Sequence, residues 1–361
     1  MGRRSASAGM TTRTVGSVRR STRPRLTLLA IAVVITAVTG ALASCAAPTS
    51  EVTPYPRDRE LRINQLQAVG TQNSYHLRPP GEAVAPEWDY AHPPLERQLD
   101  EGVRQLELDV HYASDNRFHV FNVPHRDEST TCALLRDCLR AVREWSVQHP
   151  LHHPIVVLIQ PQDELDPLKI DGHYDELDAE VRSIVPRDRI ITPDDVRAGR
   201  RTLTEAVRSG GWPTLSESRG RILFVLADEG RHRAAYSRGG TSLDGRVMFV
   251  YGEDGGPLDA IRNVPDPIKG ESEIRRLVGE GDLVRTQADD GGLEARIGDT
   301  TRVQAALRSG AQLISTDYPT PSDLTDYLVA IPAGEPSRCD PASAPRACTS
   351  LDIENPRFLA P

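Results

Sequence analysis

The chain has 361 residues, 38% of them hydrophobic, and a formal net charge of −8. This length is compatible with one large domain, including a single α/β barrel, or with two ordinary domains. Because the chain is acidic, it lacks the basic surface that general nucleic-acid binding requires, and no nucleic-acid partner is expected.

The segment 1–44 indicates an export signal. It contains seven arginines and no acidic residue, and the apolar run Leu26–Ala43 follows the arginines. A basic segment followed by an apolar one is typical of secretory signals. The run ends in Leu42-Ala43-Ser44-Cys45, which resembles the lipobox of bacterial lipoproteins. We therefore expect an exported cell-surface lipoprotein, attached to the membrane through a lipid on Cys45.

Two other interpretations of this segment stay open. A plain signal peptide would give a secreted soluble protein, and an uncleaved run would be just long enough to span a bilayer. Residues 45–60 are polar and contain prolines, and we expect them to form a tether.

Four cysteines beyond Cys45 form two pairs that are close in sequence, Cys132 with Cys138 and Cys339 with Cys348. In an exported chain such thiols indicate two disulfides, and joining each local pair is the most economical of the three possible pairings. A zinc site is the alternative, but the spacings within the pairs argue against it. The second disulfide would staple a Pro-rich C-terminal tail at 331–361.

Between 61 and 330, apolar runs with the character of strands alternate with runs typical of helices. The predicted strands are Gln65–Gly70, Val103–Val110, Phe118–Val123, Ile155–Gln160, Ile222–Ala227, Val247–Tyr251, Leu283–Thr286 and Gln312–Thr316. The predicted helices are Cys132–Gln148, Tyr174–Ile184, Thr202–Ser209, Glu271–Gly279 and Arg302–Ser309. This alternation predicts an α/β fold, an irregular (β/α)8 TIM barrel without a helix between its second and third strands. A doubly wound sheet is the alternative, and the lack of a Gly-rich loop after the first strand counts against it.

Polar side chains stand at the ends of several predicted strands, where TIM-barrel enzymes carry their chemistry. They are Gln72, Asn73, Glu107, Asp109, Asn122, Gln160, Arg285, Asp317 and Tyr318. Glu107 and Asp109 are two residues apart and therefore point to the same side of their strand. Two carboxylates near an Asn suit a hard cation such as Ca²⁺, and leaving them unpaired inside a buried strand would be costly. A solvated strand face is the alternative.

From 61 to 318, the chain resembles the secreted bacterial Ca²⁺-dependent phosphatidylinositol phospholipases C. The resemblance lies in segments that occur in the family's order: GTQNSYH, WDYAHPPLERQLDEGVRQLELDV, VFNVPHRDESTTC, VVLIQPQDE, LVRTQAD and ISTDYP. It implies an irregular TIM barrel, in agreement with the strand pattern. It also implies a mechanism in which one His takes the proton from the inositol 2-hydroxyl, which attacks phosphorus to give a cyclic phosphodiester. A second His protonates the departing glycerol oxygen, and Ca²⁺ stabilises charge on the phosphoryl oxygens.

Carried over position by position, the resemblance implies a catalytic site in which several of the family's functional residues are replaced. The ligand positions Asn73, Glu107 and Asp109 match the family, whereas its fourth-strand Glu ligand is Gln160. The first catalytic His position is Gln72 and the second is Asn122. An amide cannot accept and return a proton near neutral pH, and one carboxylate fewer should weaken Ca²⁺ binding.

Other residues near these positions are candidates for the missing roles. His76 lies four residues beyond Gln72, and His125 lies three beyond Asn122, so both are possible stand-ins for the catalytic histidines. Arg285 is a candidate phosphate contact, with Asp317 and Tyr318 as further substrate contacts. A structural ion pair of Arg285 with Asp289 or Asp317 is the alternative.

The sequence therefore predicts a monomeric, exported protein that engages a phosphoinositide or another phosphodiester head group, with weak or lost phosphoric diester hydrolase activity. An active Ca²⁺-dependent hydrolase with displaced histidines is one alternative. A non-catalytic interaction module is another, because the fold does not determine the function.

Overall fold

The computed structural model describes residues 54–81, 85–322, 325–334 and 336–359. The predicted export signal at 1–44, the lipidation site Cys45 and most of the tether at 45–60 lie outside the described residues. Within the described ranges, no helix is both long enough and apolar enough to cross a bilayer.

Eleven strands form one sheet in the part of the chain that the structure describes. They are β1 (Leu66–Thr71), β2 (Gln105–Tyr112), β3 (Phe118–Val120), β4 (Ile155–Pro161), β5 (Ile190–Ile191), β6 (Ile222–Leu226), β7 (Phe249–Val250), β8 (Ile261–Asn263), β9 (Leu283–Gln287), β10 (Leu313–Thr316) and β11 (Arg338–Cys339).

Eight of these strands are parallel neighbours in the order β1, β2, β4, β6, β7, β8, β9 and β10, and β10 pairs with β1. The step from β7 to β8 is a single parallel bridge between Tyr251 and Ile261, where the Gly252 N–H donates to the Ile261 carbonyl at 2.8 Å. The predicted irregular (β/α)8 barrel is therefore confirmed.

Long apolar runs form the barrel wall because each wall strand is covered on both sides. Every residue of β6 is buried, as is the apolar part of β4, Ile155–Ile159. A barrel strand is covered by interior side chains on one face and by helices on the other, so it is buried on both faces. Its sequence is therefore a continuous apolar run. Polar residues within such strands therefore stand out.

The strand β3 departs from the predicted pattern. It is antiparallel to β2, with Val110 opposite Val120, and in the turn between them the Ala113 N–H donates to the Arg117 carbonyl at 3.1 Å. The prediction that Phe118–Val123 is a barrel strand is therefore wrong, because a parallel connection needs a crossover of about a dozen residues. The hairpin also explains why no helix separates the second and third predicted strands.

The helices lie outside the barrel or in its connections. They are α1 (Leu95–Asp100), α2 (Leu135–Gln148), α3 (Tyr174–Ile184), α4 (Pro193–Arg197), α5 (Leu203–Arg208), α6 (Leu215–Ser218), α7 (Arg231–Tyr236), α8 (Glu271–Glu280), α9 (Leu293–Ile297), α10 (Thr301–Ser309), α11 (Ser350–Ile353) and α12 (Pro356–Leu359). The predicted bounds of α3 are confirmed. The helix predicted from Cys132 begins instead at Leu135, because Leu134 forms an extended bridge with His119.

Both predicted disulfides are confirmed, with Cα atoms 5.3 Å apart in Cys132–Cys138 and 6.0 Å apart in Cys339–Cys348. The stapled tail is also joined to the barrel, since β11 pairs antiparallel with β1. At the floor of the barrel, which is the end where the strands begin, Glu354 from the tail accepts from Arg104 Nε at 3.2 Å and from the His153 N–H at 3.0 Å. The tail therefore packs against the floor.

Candidate active site

At the mouth of the barrel, which is the end where the strands terminate, the buried cation Arg285 lies among several carboxylates. The Arg285 guanidinium on β9 donates to Glu107 Oε2 on β2 at 2.6 Å, and both residues are only 5% exposed. Ser315 Oγ at 3.0 Å and Asn263 Oδ1 at 3.2 Å accept two further hydrogen bonds from Arg285. Arg285 is therefore held in place by residues of three other strands, β2, β8 and β10.

Two aspartates at the mouth, Asp109 and Asp317, each keep one buried oxygen without a hydrogen-bond partner among the described residues. Burial raises the pKa of both carboxyls well above the usual range, and the nearby charges of Glu107, for Asp109, and of Asp289, for Asp317, raise it further. A cation, a proton or a hydroxyl donor would satisfy these oxygens.

At the first predicted His position, Gln72 is held by its neighbours. Its amide Nε2 lies 3.4 Å from Asp289 Oδ1, its Oε1 accepts from Gln287, and its backbone carbonyl accepts from His92 Nε2 at 2.9 Å. Burial raises the pKa of Asp289 to about 6, although bonds from Thr316 and from the Asp317 backbone lower it. Gln72 therefore adds a hydrogen-bonding amide to the mouth and no titratable group.

At the second predicted His position, Asn122 shares a carboxylate with a buried histidine. Asp127 Oδ2 accepts from Asn122 Nδ2 at 2.7 Å and lies 2.9 Å from His76 Nε2. His76 is fully buried and stacks on Tyr90 with ring centroids 4.3 Å apart. The structure thus brings one predicted stand-in next to a family His position, through a carboxylate that the sequence analysis did not single out.

The structure does not bring His125 to this cluster. Its side chain is 95% exposed, its nearest charged contact is Glu128 at 3.8 Å, and its φ is +63°. The left-handed backbone there forms the turn that returns the chain from Val123 to Asp127. The turn that buries Asp127 therefore points His125 into solvent.

Tyr318 lies at the edge of the mouth, buried between two other tyrosines. Its ring centroid is 6.4 Å from that of Tyr90 and 5.6 Å from that of Tyr327. Burial, followed by the nearby charge of Asp317, raises the pKa of Tyr318 to about 12, so the phenol stays protonated and can donate a hydrogen bond.

The predicted metal ligands offer oxygen atoms but little negative charge. Asn73 donates its amide N–H to the Tyr90 hydroxyl at 3.2 Å, so its oxygen is the candidate ligand. Gln160 is level with Asp109 in the β2–β4 register. Arg285 already balances the charge of Glu107, and the partnerless oxygen of Asp109 is the strongest remaining donor. This set fits Ca²⁺ by ligand type, with weaker binding than three free carboxylates would give.

Comparisons with known proteins identify the family. The family model for Ca²⁺-dependent phosphoinositide phospholipase C matches residues 61–116 and 113–341, which is most of the chain. A comparison with curated protein sequences gives no match.

Solved structures show the same fold. A calcium-dependent phosphoinositol-specific phospholipase C from a Gram-negative Pseudomonas species is 18% identical, covers 73% of this chain and 92% of its own, and has a TM-score of 0.55. A Ca²⁺-dependent phosphatidylinositol-specific phospholipase C from Streptomyces antibioticus is 20% identical, with coverage of 71% and 95% and a TM-score of 0.53. The family model and the barrel agree, and the chain belongs to the Ca²⁺-dependent phosphoinositide phospholipase C family.

Proposed function

We propose that the mouth of this barrel binds an inositol phosphate or another phosphodiester head group, and that cleavage by the two-histidine route is weak or lost. The observation that carries this proposal is the state of the two family His positions. Gln72 and Asn122 are both amides, and each is hydrogen-bonded to a carboxylate.

Two amides cannot perform the acid–base steps of the reaction. Cleavage needs one group to take the proton of the attacking hydroxyl and another to return a proton to the departing oxygen. A general acid or base typically contributes about 10²–10⁴-fold to a rate. Because both groups are replaced, the family's route loses most of its acceleration.

Head-group binding needs no proton transfer, and the mouth retains suitable partners for it. The buried acceptor oxygens of Asp109 and Asp317 can receive hydrogen bonds from the hydroxyls of a polyol ring. Arg285 supplies a buried cation, and a guanidinium is well suited to phosphate. Ca²⁺, when held by Asn73, Glu107, Asp109 and Gln160, would offset negative charge on phosphoryl oxygens.

Binding and turnover should be measured separately on the purified protein. We expect inositol 1-phosphate to bind, and we expect phosphatidylinositol cleavage far below the family's rate with or without Ca²⁺. Arg285→Gln should abolish binding, whereas Arg276→Gln, a change in an exposed ion pair on α8, should leave it unchanged. A parent protein with a family-like rate would overturn the proposed loss of catalysis.

A second candidate function is an active phosphodiesterase that uses His76. The observation in its favour is the buried pairing of His76 with Asp127, the carboxylate that Asn122 also contacts. A His paired with a carboxylate is a common form of general base. If the parent protein shows turnover, His76→Gln should abolish it and His125→Gln should not. A protein that neither binds nor cleaves would favour the interaction module instead.

We also propose that the barrel is held at the membrane by a lipid on Cys45. The motif at 42–45 and the apolar run before it support this. Cys45→Ser should move the protein to the soluble fraction, and a variant that stays in the membrane fraction would indicate an anchor helix instead.

A further inference from the structure

A cluster of potential metal ligands lies on two connections beside the mouth of the barrel, apart from the residues that we propose bind the head group. Asp163 and Glu164 follow β4, and His232 is the second residue of α7, which follows β6. One ligand atom from each of these three residues lies within 4.8 Å of the others. Neither the proposed catalysis nor the proposed head-group binding uses them.

The neighbours of His232 indicate which of its ring nitrogens carries the proton. The Tyr174 hydroxyl donates to Asp171 Oδ1 at 2.8 Å, so the Tyr174 oxygen accepts from His232 Nδ1 at 2.9 Å. With the proton on Nδ1, the neutral imidazole presents a lone pair on Nε2. A carboxylate or hydroxyl that orients a ring in this way is the usual support of a metal-binding histidine.

The free nitrogen is buried and faces a carboxylate. His232 is 1% exposed, and its Nε2 has no hydrogen-bond partner among the described residues. It lies 3.5 Å from Oδ1 of Asp163, which is itself fully buried. A lone pair and a carboxylate oxygen at this distance repel each other unless a positive charge lies close to both, and here that charge comes from Arg231, which contacts Asp163 Oδ1.

Arg231 is only partly buried. Its side chain is 43% exposed, and it also pairs with the exposed Asp171. We propose that Asp163, Glu164 and His232 bind a transition-metal dication of the Zn²⁺ class, and that Arg231 occupies the site in the metal-free protein and is displaced when the metal binds.

The donor set favours Zn²⁺ over Ca²⁺. An imidazole nitrogen with two carboxylates matches the ligands of zinc, whereas calcium takes oxygen ligands in larger number. Such an ion would connect the β4–α3 connection to α7, so it would stabilise the rim of the mouth.

The test is a Zn²⁺ titration of the chelator-treated protein by calorimetry, with thermal unfolding as a second readout. Arg231→Ala should lower the Kd for Zn²⁺ by about tenfold, because it removes the competing cation. Glu164→Gln and Tyr174→Phe should each raise the Kd by about tenfold or more. His125→Gln is the matched control for surface histidines and should change nothing, since this side chain is 95% exposed. Zn²⁺ should raise the unfolding temperature of the parent protein, and Ca²⁺ should not compete for the site.

Two results would overturn the proposal. One is an Arg231→Ala protein that binds Zn²⁺ no more tightly than the parent, or that does not bind it at all. The other is a His125→Gln protein that loses as much affinity as the Glu164→Gln protein. Arg231 and Glu164 are surface positions, 43% and 64% exposed, so these variants should fold normally even if a change at His232 does not.

Discussion

The two ends of the barrel differ in how far neighbouring cations compensate their buried carboxylates. At the floor, burial alone would raise the pKa of Glu354, but Arg104 and then His153 outweigh burial and hold it at about 2. At the mouth, burial and neighbouring carboxylates raise the pKa of Asp109 and Asp317. The hydrogen-bonding groups of Tyr75 and Gln162 near Asp109, and the charge of Arg285 near both, offset this only in part.

This difference distinguishes the floor, where polar groups have a structural role, from the mouth, where they are available to a ligand. The floor matches its carboxylate with a cation, so its polar groups stabilise the fold. The mouth keeps an excess of carboxylate oxygen that a ligand, a cation or a proton must satisfy. Buried groups with perturbed pKa values and missing partners are concentrated at functional sites.

The largest predicted effect comes from breaking the floor pair. Glu354→Gln should lower the free energy of unfolding by about 3–5 kcal/mol, because it leaves the Arg104 guanidinium buried without its counter-charge. Urea unfolding measures the loss. Arg140→Gln, which breaks an exposed pair on α2, is the control and should cost less than about 1 kcal/mol. Equal losses in the two variants would remove the contrast between floor and surface.

The floor should also make the protein sensitive to acid. Burial lowers the pKa of His153 to about 3, below the value of about 6.5 expected in the unfolded chain. The unfolded chain therefore binds more protons between these values, and stability is lost as the pH falls below about 6.5. His153→Gln should remove about 2 kcal/mol of the loss between pH 7 and pH 5. If the stability–pH curves of the parent protein and the His153→Gln variant stay parallel, burial does not hold His153 neutral.

A smaller effect of opposite sign is expected at the mouth. Because the folded-state pKa of Asp317 is raised, its contribution to stability is complete at low pH and is lost as the pH rises through that pKa. Asp317→Asn should therefore stabilise the protein by about 1 kcal/mol at pH 7 and lose this advantage below about pH 4. Thermal unfolding at both pH values measures the difference, with the exposed change Asp137→Asn as a control. If Asp317→Asn destabilises the protein at pH 7, the carboxylate of Asp317 has a stabilising partner, as Glu354 has at the floor.

The sequence predicted the residues of the mouth that lie on strands. Glu107, Asp109 and Arg285 are polar or charged within apolar runs, and parallel strands bring such positions to one end of the barrel. Asp127 was missed because its burial depends on a turn in the β3–α2 connection, which strand periodicity does not show.

The strand β8 and the role of Glu354 are two features that the sequence did not predict, for related reasons. The strand β8 has three residues, Ile261–Asn263, and only one of them is buried, so it leaves no apolar run. The role of Glu354 at the floor depends on Arg104, which lies 250 residues away in sequence. Neither feature has a local signal.

The measurement that tests the central claim most directly is a gain of function. The triple variant Gln72→His, Asn122→His and Gln160→Glu restores both proton-transfer groups and the third carboxylate of the metal site. If the mouth is a head-group pocket that lacks only these groups, the triple variant should convert phosphatidylinositol to cyclic inositol phosphate and should require Ca²⁺, while the parent does neither at a comparable rate. A triple variant that folds normally and shows no activity would contradict the claim that the mouth still accepts the family's substrate.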